Sequence, residues 1–463
     1  MTESLADNLA AIVGAAHVSA DPDVLDGRSV DHTGRYRGQA SMLVRPGTAE
    51  EIAAVLDVCR AAGVHVTVQG GRTSLVAGTV PEHDDVLLST ERLTDIGEVD
   101  TVERRIRVGA GVTLAAVQRA ATKAGLVFGV DIAARDSATV GGMASTNAGG
   151  LRTVRYGNMG EQVIGLDVVL PDGSIVARHS QVRQDNTGYD LASLFVGAEG
   201  TLGVITSLDL RLHPTPTNRV TAVCGFAELD DLVEAGREFR DMDGIAALEL
   251  IDSRASDLTA EHLGVAAPVD GAWQLLIELA ADTDQTEQLA DALEHARLTG
   301  EPAVGVDVNT QQRLWQVRES VAEILGLYGP PLKFDVSLPL SAIAAFARES
   351  AELIGSHAPD AIPVLFGHIG EGNLHLNVLR FAVDSDERSR EEPAVGEREA
   401  ALYSAMMALI AGHGGNVSSE HGVGSRKRDY VGMSRTSADI AAMRAVKSAF
   451  DPAGYLNAAV LFD

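Results

Sequence analysis

Residues 44–79, VRPGTAEEIAAVLDVCRAAGVHVTVQGGRTSLVAGT, decide how the first half of the chain is read. Thr48 can cap a helix, and Glu51 stands three residues on, the spacing of a capping box. Ile52, Val55, Leu56 and Cys59 share one helical face, and Gly63 is placed to end the helix. Val64, Val66 and Val68 then alternate with polar neighbours, and the chain breaks at Gly70-Gly71 before resuming as Val86 to Ser89. The stretch reads as strand, helix, strand and glycine-rich loop.

Working outward, the alternation of elements continues through Ile106–Val108, a helix from near Thr113 to Gly125, and a small-residue run from Asp136 to Gly150. A hairpin follows, Leu166–Leu170 and Ile175-Val176 about Pro171-Asp172-Gly173. Val204–Leu212 alternates and meets the breaker His213-Pro214-Thr215-Pro216, which sets a first domain of residues 1–216. From 217 the texture changes to longer Ala- and Leu-rich helices between strands such as Trp273–Leu279 and Phe334–Leu338, an α+β second domain of residues 217–430. Residues 384–399 are dense in charge and read as a solvated loop.

No G-x-x-x-x-G-K-[ST] occurs, and no G-x-G-x-x-G follows a strand and opens a helix, which disfavours P-loop and Rossmann sites. Three separate glycine-bearing segments stand instead: 69–74 (QGGRTS), 137–150 (SATVGGMASTNAGG) and 197–203 (GAEGTLG). Their exposed backbone N–H groups suit one extended, phosphate-bearing ligand.

The 463 residues are 45% apolar and 22% charged, enough for a sizeable core. With 37 Lys+Arg against 65 Asp+Glu the net charge is -28, a field that repels nucleic acid and anionic lipid. A small anionic substrate therefore needs local positive charge. Two cysteines, Cys59 and Cys224, point to a reducing compartment. The first residues lack a basic n-region and no apolar run approaches a bilayer span, so the expectation is a cytoplasmic protein without a membrane span.

In 363–380, PVLFGHIGEGNLHLNVLR, two apolar strands flank a loop read as Gly370-Glu371-Gly372-Asn373. That register opposes His368 to His375, so that two imidazoles can grip one metal ion, with Asn377 on the same face. Glu420, beside His421 in a glycine-bracketed turn, offers a carboxylate, and two His plus one carboxylate form a typical catalytic zinc set. In Leu332–Leu338, Lys333, Asp335 and Ser337 alternate with apolar residues, which places Lys333 off the core face.

Taken together these segments resemble the FAD-dependent oxidoreductases of the vanillyl-alcohol oxidase type, and within them the D-2-hydroxyacid dehydrogenases, over nearly the whole chain. The resemblance implies a two-domain α+β flavoprotein with residues 431–463 returning to the FAD domain. It implies non-covalent FAD held by Gln69, Gly70, Gly71, Arg72, Thr73, Ser74, Ser137, Thr139, Gly141, Gly142, Thr146, Asn147, Gly150, Glu199, Gly200, Val204, Ile205 and Asn457. It gives His368, His375 and Glu420 as metal ligands, His421 as catalytic base, and Arg318, Lys333 and Asn377 as substrate-binding residues. The chain departs from the family at Ala458-Ala459, where Pro-Gly is common, and at Ala322, where some relatives carry a hydroxyl.

The implied reaction removes a proton from the C2 hydroxyl of a D-2-hydroxy acid and passes the C2 hydrogen to flavin as hydride, with a divalent metal, Zn2+ by its ligands, holding the hydroxyl and carboxylate. Manganese, cobalt or iron also suit such ligands. Segments 152–157 (RTVRYG), 185–190 (DNTGYD) and 373–377 (NLHLN) favour D-2-hydroxyglutarate, with D-lactate or a glycolate-type acid as the alternative. Electron-transfer flavoprotein is the implied acceptor, and a homodimer is compatible. A flavin-free zinc hydrolase would leave the glycine-rich segments without a task. A non-catalytic FAD-binding subunit would need neither the histidine hairpin nor the Glu420-His421 pair.

Overall fold

The computed structural model describes residues 5–179, 182, 185–381 and 393–462. The chain forms two units: Met1–Gly149, Tyr156–Thr215 and Glu420–Asp463 make the first, Gly150–Arg155 and Pro216–Ser419 the second. Residues 420–430 thus count with the first unit, whereas the sequence reading grouped them with the second domain.

In the first unit the helix after Thr48 runs Ala49–Ala62 and buries Ile52, Val55, Leu56 and Cys59. Thr48 Oγ1 accepts the Glu51 N–H at 3.1 Å, and Gly63 closes the helix at φ 67°. Glu51 does not reach back to Thr48; its carboxylate takes the Gly47 N–H at 2.6 Å, pinning the preceding turn. Strands β1 (Val18–Ser19), β2 (Ala40–Val44), β3 (Val66–Gln69) and β4 (Asp85–Ser89) form a sheet of order β1-β2-β4-β3, the last three parallel. Every residue of β4 is buried, as expected of a parallel strand covered on both faces.

A second, antiparallel sheet has the order β5-β9-β7-β8, from β5 (Arg105–Gly109), β7 (Val163–Val169), β8 (Ile175–Arg178) and β9 (Val204–Arg211). His213-Pro214, read from sequence as a breaker, is a two-residue strand, β10, paired with β6 (Leu126–Val127). Proline lacks an N–H to donate and is tolerated in such an edge pair. The C-terminal residues Tyr455 and Leu456 join the apolar core of this unit beside Leu56, Val66 and Leu88. Lys447, from the helix Ser437–Phe450, donates to Thr201 O, Leu456 O and Asp451 Oδ2.

The second unit is built on one antiparallel sheet of order β14-β11-β13-β12-β16-β17-β15. Its strands are β11 (Asn218–Phe226), β12 (Ile245–Asp252), β13 (Trp273–Ala281), β14 (Ala303–Gly305), β15 (Leu332–Ser337), β16 (Ile362–His368) and β17 (Asn373–Leu379). The helix Val308–Leu327 lays Val317 and Val321 on Ile251, Val364 and Phe366. All of β17 is buried, so this sheet is covered on both faces. Alternation in β15 therefore does not mark a solvent face: Asp335 is buried and Lys333 half-buried. Of the stretch read as a charged loop, 384–392 lies outside the described residues, while 393–399 opens the helix Pro393–Gly412. Proline is at home at a first helical position.

Candidate active site

In the first unit the glycine-rich segments come together by backbone approach. A Cβ on Gly71 would lie 2.0 Å from Ser137 O, and one on Gly70 2.5 Å from Thr139 Oγ1. Thr139 Oγ1 accepts the Gly71 N–H at 3.2 Å. Gly141 packs as closely, its Cβ position 2.5 Å from Ala110 Cβ. Arg72, Ala77, Asn147, Glu199 and Asn457 all hold left-handed φ, between 45° and 57°, a costly state for non-glycine residues that gathers at ligand sites. The Gln69 side-chain oxygen is buried and has no partner among the described residues. These features fit a flat, phosphate-bearing cofactor such as FAD laid on backbone, with Gln69, Gly70, Gly71, Arg72, Thr73, Ser74, Ser137, Thr139, Gly141 and Gly142 as the residues to hold it.

Other expected contacts are engaged within the fold. Asn147 Oδ1 accepts the Gly160 N–H, and Asn457 ties the Val68 N–H to the Glu199 carbonyl. Thr146 bonds back into its own helix, Val204 and Ile205 are buried in β9, and Gly150 falls in the second unit. The buried Glu199 carboxylate accepts the backbone N–H groups of Val423 and Gly424, each at 2.8 Å. Burial pushes its carboxyl above the usual carboxylate range, against the pull of those two donors. A Cβ on Gly424 would meet Val76 O at 1.9 Å, so the turn also abuts the first glycine-rich loop. That turn carries Glu420 and His421, whose Oε1 and Nε2 lie 3.5 Å apart.

In the second unit one sheet face gathers the polar residues. Register pairs Lys333 with Asn377, Asp335 with His375 and Ser337 with Asn373. The expected hairpin register is corrected: the loop is Ile369–Gly372, so His368 opposes Asn373 and Phe366 opposes His375. Gly372, at φ 73°, donates to Ile369 O, and the turn therefore closes one residue earlier than the Gly-Glu-Gly-Asn composition suggested. Both histidines still share a face, as diagonal neighbours with ring centroids 5.2 Å apart. His375 Nδ1 lies 3.9 Å from Asp335 Oδ1. Asp335 Oδ2 accepts the N–H of Ser419, the residue immediately before Glu420. Two imidazoles with carboxylates suit a borderline ion such as Zn2+, so the donor set fits a divalent metal.

Arg318 is buried, over the Phe366 ring, and its Nε donates to Glu249 at 2.7 Å. Glu249 also accepts from His368 Nδ1 at 2.6 Å. Burial raises the Glu249 carboxyl, but the charges and hydrogen bonds of His368 and Arg318 outweigh it and hold the group below the usual range. Sequence reasoning missed Glu249 and Asp335. The available signal for Glu249 was a lone acid inside the apolar run 246–251 (AALELI), because such a charge is buried only with partners.

Two family models match the chain: an FAD binding domain over residues 40–177 and the C-terminal domain of FAD linked oxidases over 215–461. D-2-hydroxyglutarate dehydrogenase of Stutzerimonas stutzeri is 34% identical, covering 99% of this chain and 99% of that protein. The mitochondrial D-2-hydroxyglutarate dehydrogenase of Bos taurus is 35% identical over 97% of this chain and 82% of its own length. Among solved structures, p-cresol methylhydroxylase with substrate bound has a TM-score of 0.80 at 18% identity, covering 98% of this chain and 95% of that one. The last similarity is one of fold.

Proposed function

Since this chain belongs to the FAD-linked oxidases of the vanillyl-alcohol oxidase type, we propose that it oxidises D-2-hydroxyglutarate at C2 to the 2-oxo acid. The observation that carries the reading is the buried sheet face on which Lys333, Asp335, His368, His375 and Asn377 lie together, with Arg318 held beside it through Glu249. Bound FAD would supply a hydride acceptor, and a divalent ion held by His368 and His375, with Glu420 as the third ligand that the resemblance implies, would supply the charge that makes a hydroxyl more acidic.

The chain's own groups do the rest. Arg318 approaches Glu249 through Nε, which leaves its two Nη groups for bidentate pairing with a substrate carboxylate. Lys333, half-buried opposite Asn377, answers a second carboxylate, and Asn377 orients the acid. Two cations on an otherwise acidic chain suit a dicarboxylate better than lactate. His421 takes the hydroxyl proton, its ring steadied by a turn that Glu199 grips through two N–H groups. The relatives named for D-2-hydroxyglutarate support this choice. The electron acceptor in this reading is electron-transfer flavoprotein, with the protein in the cytoplasm. No helix among the described residues is long and apolar enough to cross a membrane.

The test is a panel of D-2-hydroxy acids with a dye acceptor on protein of measured flavin and metal content. D-2-hydroxyglutarate is expected to show the highest kcat/KM; faster oxidation of D-lactate would reject the assignment.

A further inference from the structure

We propose that Glu249 is a positioning residue shared by metal and substrate binding, one carboxylate that aims His368 at the ion and Arg318 at the acid. The inference rests on the functional reading above and extends it to a residue outside the expected site. Glu249 lies on β12, is 1% exposed, and stands directly opposite His368 on β16. Its two oxygens are divided: Oε1 accepts from His368 Nδ1 at 2.6 Å, Oε2 from Arg318 Nε at 2.7 Å.

A carboxylate only accepts, so His368 must carry its proton on Nδ1, which directs Nε2 to any metal ion. The Arg318 contact fixes the guanidinium through Nε and leaves the Nη groups outside that hydrogen bond. Loss of one acceptor would therefore loosen two kinds of ligand at once.

The sheet offers its own control. Glu278 on β13 is also 1% exposed and accepts from Trp315 Nε1 at 2.8 Å, while pairing with Arg152 and Arg219. Trp315 stands one turn before Arg318 on the same helix. Glu278 thus docks that helix without touching any residue proposed as a ligand, and separates helix docking from aiming.

The experiment uses full-length, FAD-loaded protein stripped of metal, titrated with Zn2+ against a chromogenic chelator. Wild type is expected to take up one equivalent tightly. E249Q is expected to keep FAD, to lose roughly 10- to 100-fold in Zn2+ affinity, and to raise KM for the hydroxy acid. E278Q is expected to stay within about twofold of wild type in Zn2+ affinity, a position with no ligand contact. Unchanged Zn2+ affinity in E249Q overturns the proposal alone, and so does an equal loss in E278Q. A wild-type protein that takes up no stoichiometric zinc overturns the metal reading along with it. Should E249Q fail to fold, 15N-histidine spectra of the metal-free wild type decide: the Nδ1–H tautomer at His368 supports the role, the Nε2–H tautomer overturns it.

Discussion

Replacing Gly71 with alanine sets a methyl carbon 2.0 Å from Ser137 O and 3.0 Å from Ala138 Cα, both backbone atoms that no rotamer change can move. An ordinary carbon–oxygen contact begins near 3.3 Å, so the two segments must part by about 1.3 Å. That exceeds the tolerance of a hydrogen bond, roughly 2.7–3.2 Å between heavy atoms. If two N–H contacts to an anionic pyrophosphate are lost at about 1.5–3 kcal/mol each, FAD binding weakens by about 3–6 kcal/mol, or roughly 100- to 10,000-fold. Overpacking adds about 1–3 kcal/mol of instability. The assay is flavin-to-protein absorbance after gel filtration, followed by FAD titration of the apoprotein by flavin fluorescence. G27A, where a methyl meets nothing within 4 Å, serves as control. Retention of FAD by G71A within about threefold of wild-type affinity would refute the backbone-cradle argument, since even one lost N–H contact is worth more than that.

His421→Ala is expected to bind FAD and metal normally yet lose about 100- to 10,000-fold in turnover, the usual range for a general base; turnover near wild type removes His421 from that role. Lys447→Met strands the buried Asp451 carboxylate at a cost of about 3–5 kcal/mol, and a thermal transition unchanged from wild type would contradict that pairing. The His179 cluster predicts a pH signature. Burial lowers the His179 pKa, but hydrogen bonding to Asp209 and the charge of Asp167 outweigh this and raise it above 6.5, against a smaller opposing effect of Arg107. Asp209 is held below 3.8: burial raises it, and His179, with help from Arg107 and Arg105, lowers it further. The histidine's contribution is complete below 6.5 and fades as pH rises through its folded value; the aspartate's is complete above 3.8 and fades as pH falls. The stability gap between wild type and H179N should thus be widest between those values and shrink toward pH 8, and a gap that stays constant counts against the cluster.

Local signals were legible and distant partnerships were not. The helix after Thr48 was readable because cap, apolar face and terminating glycine all lie within one stretch of chain. The histidine hairpin was readable as a motif, but its register depended on whether Ile369 or Gly370 begins the turn, a choice that composition leaves open and Gly372 settles by its left-handed backbone. Lys333 stands off the apolar face as alternation predicts, but the sheet is covered on both sides, so alternation alone does not say what that face meets. Glu249 announced itself as an acid among apolar neighbours, yet nothing local says that its partners stand at 318 and 368. The backbone clashes that make the glycine loops a cradle join residues 71 and 137, or 76 and 424, and no periodicity reports them.

Asn457 stitches Val68 to Glu199, and Leu456 and Tyr455 fill the core beneath them. During synthesis, the strands and loops before Thr215 must wait for that stitch while about 240 further residues leave the ribosome, roughly 12–48 s at ordinary elongation rates. Over that interval the nascent flavin unit keeps an uncovered apolar seam, whereas the inserted sheet can complete itself as it emerges. Chaperone demand and flavin supply should therefore bear on yield until residues 455–457 have emerged, and an insertion that obstructs those residues should harm the first unit more than the second.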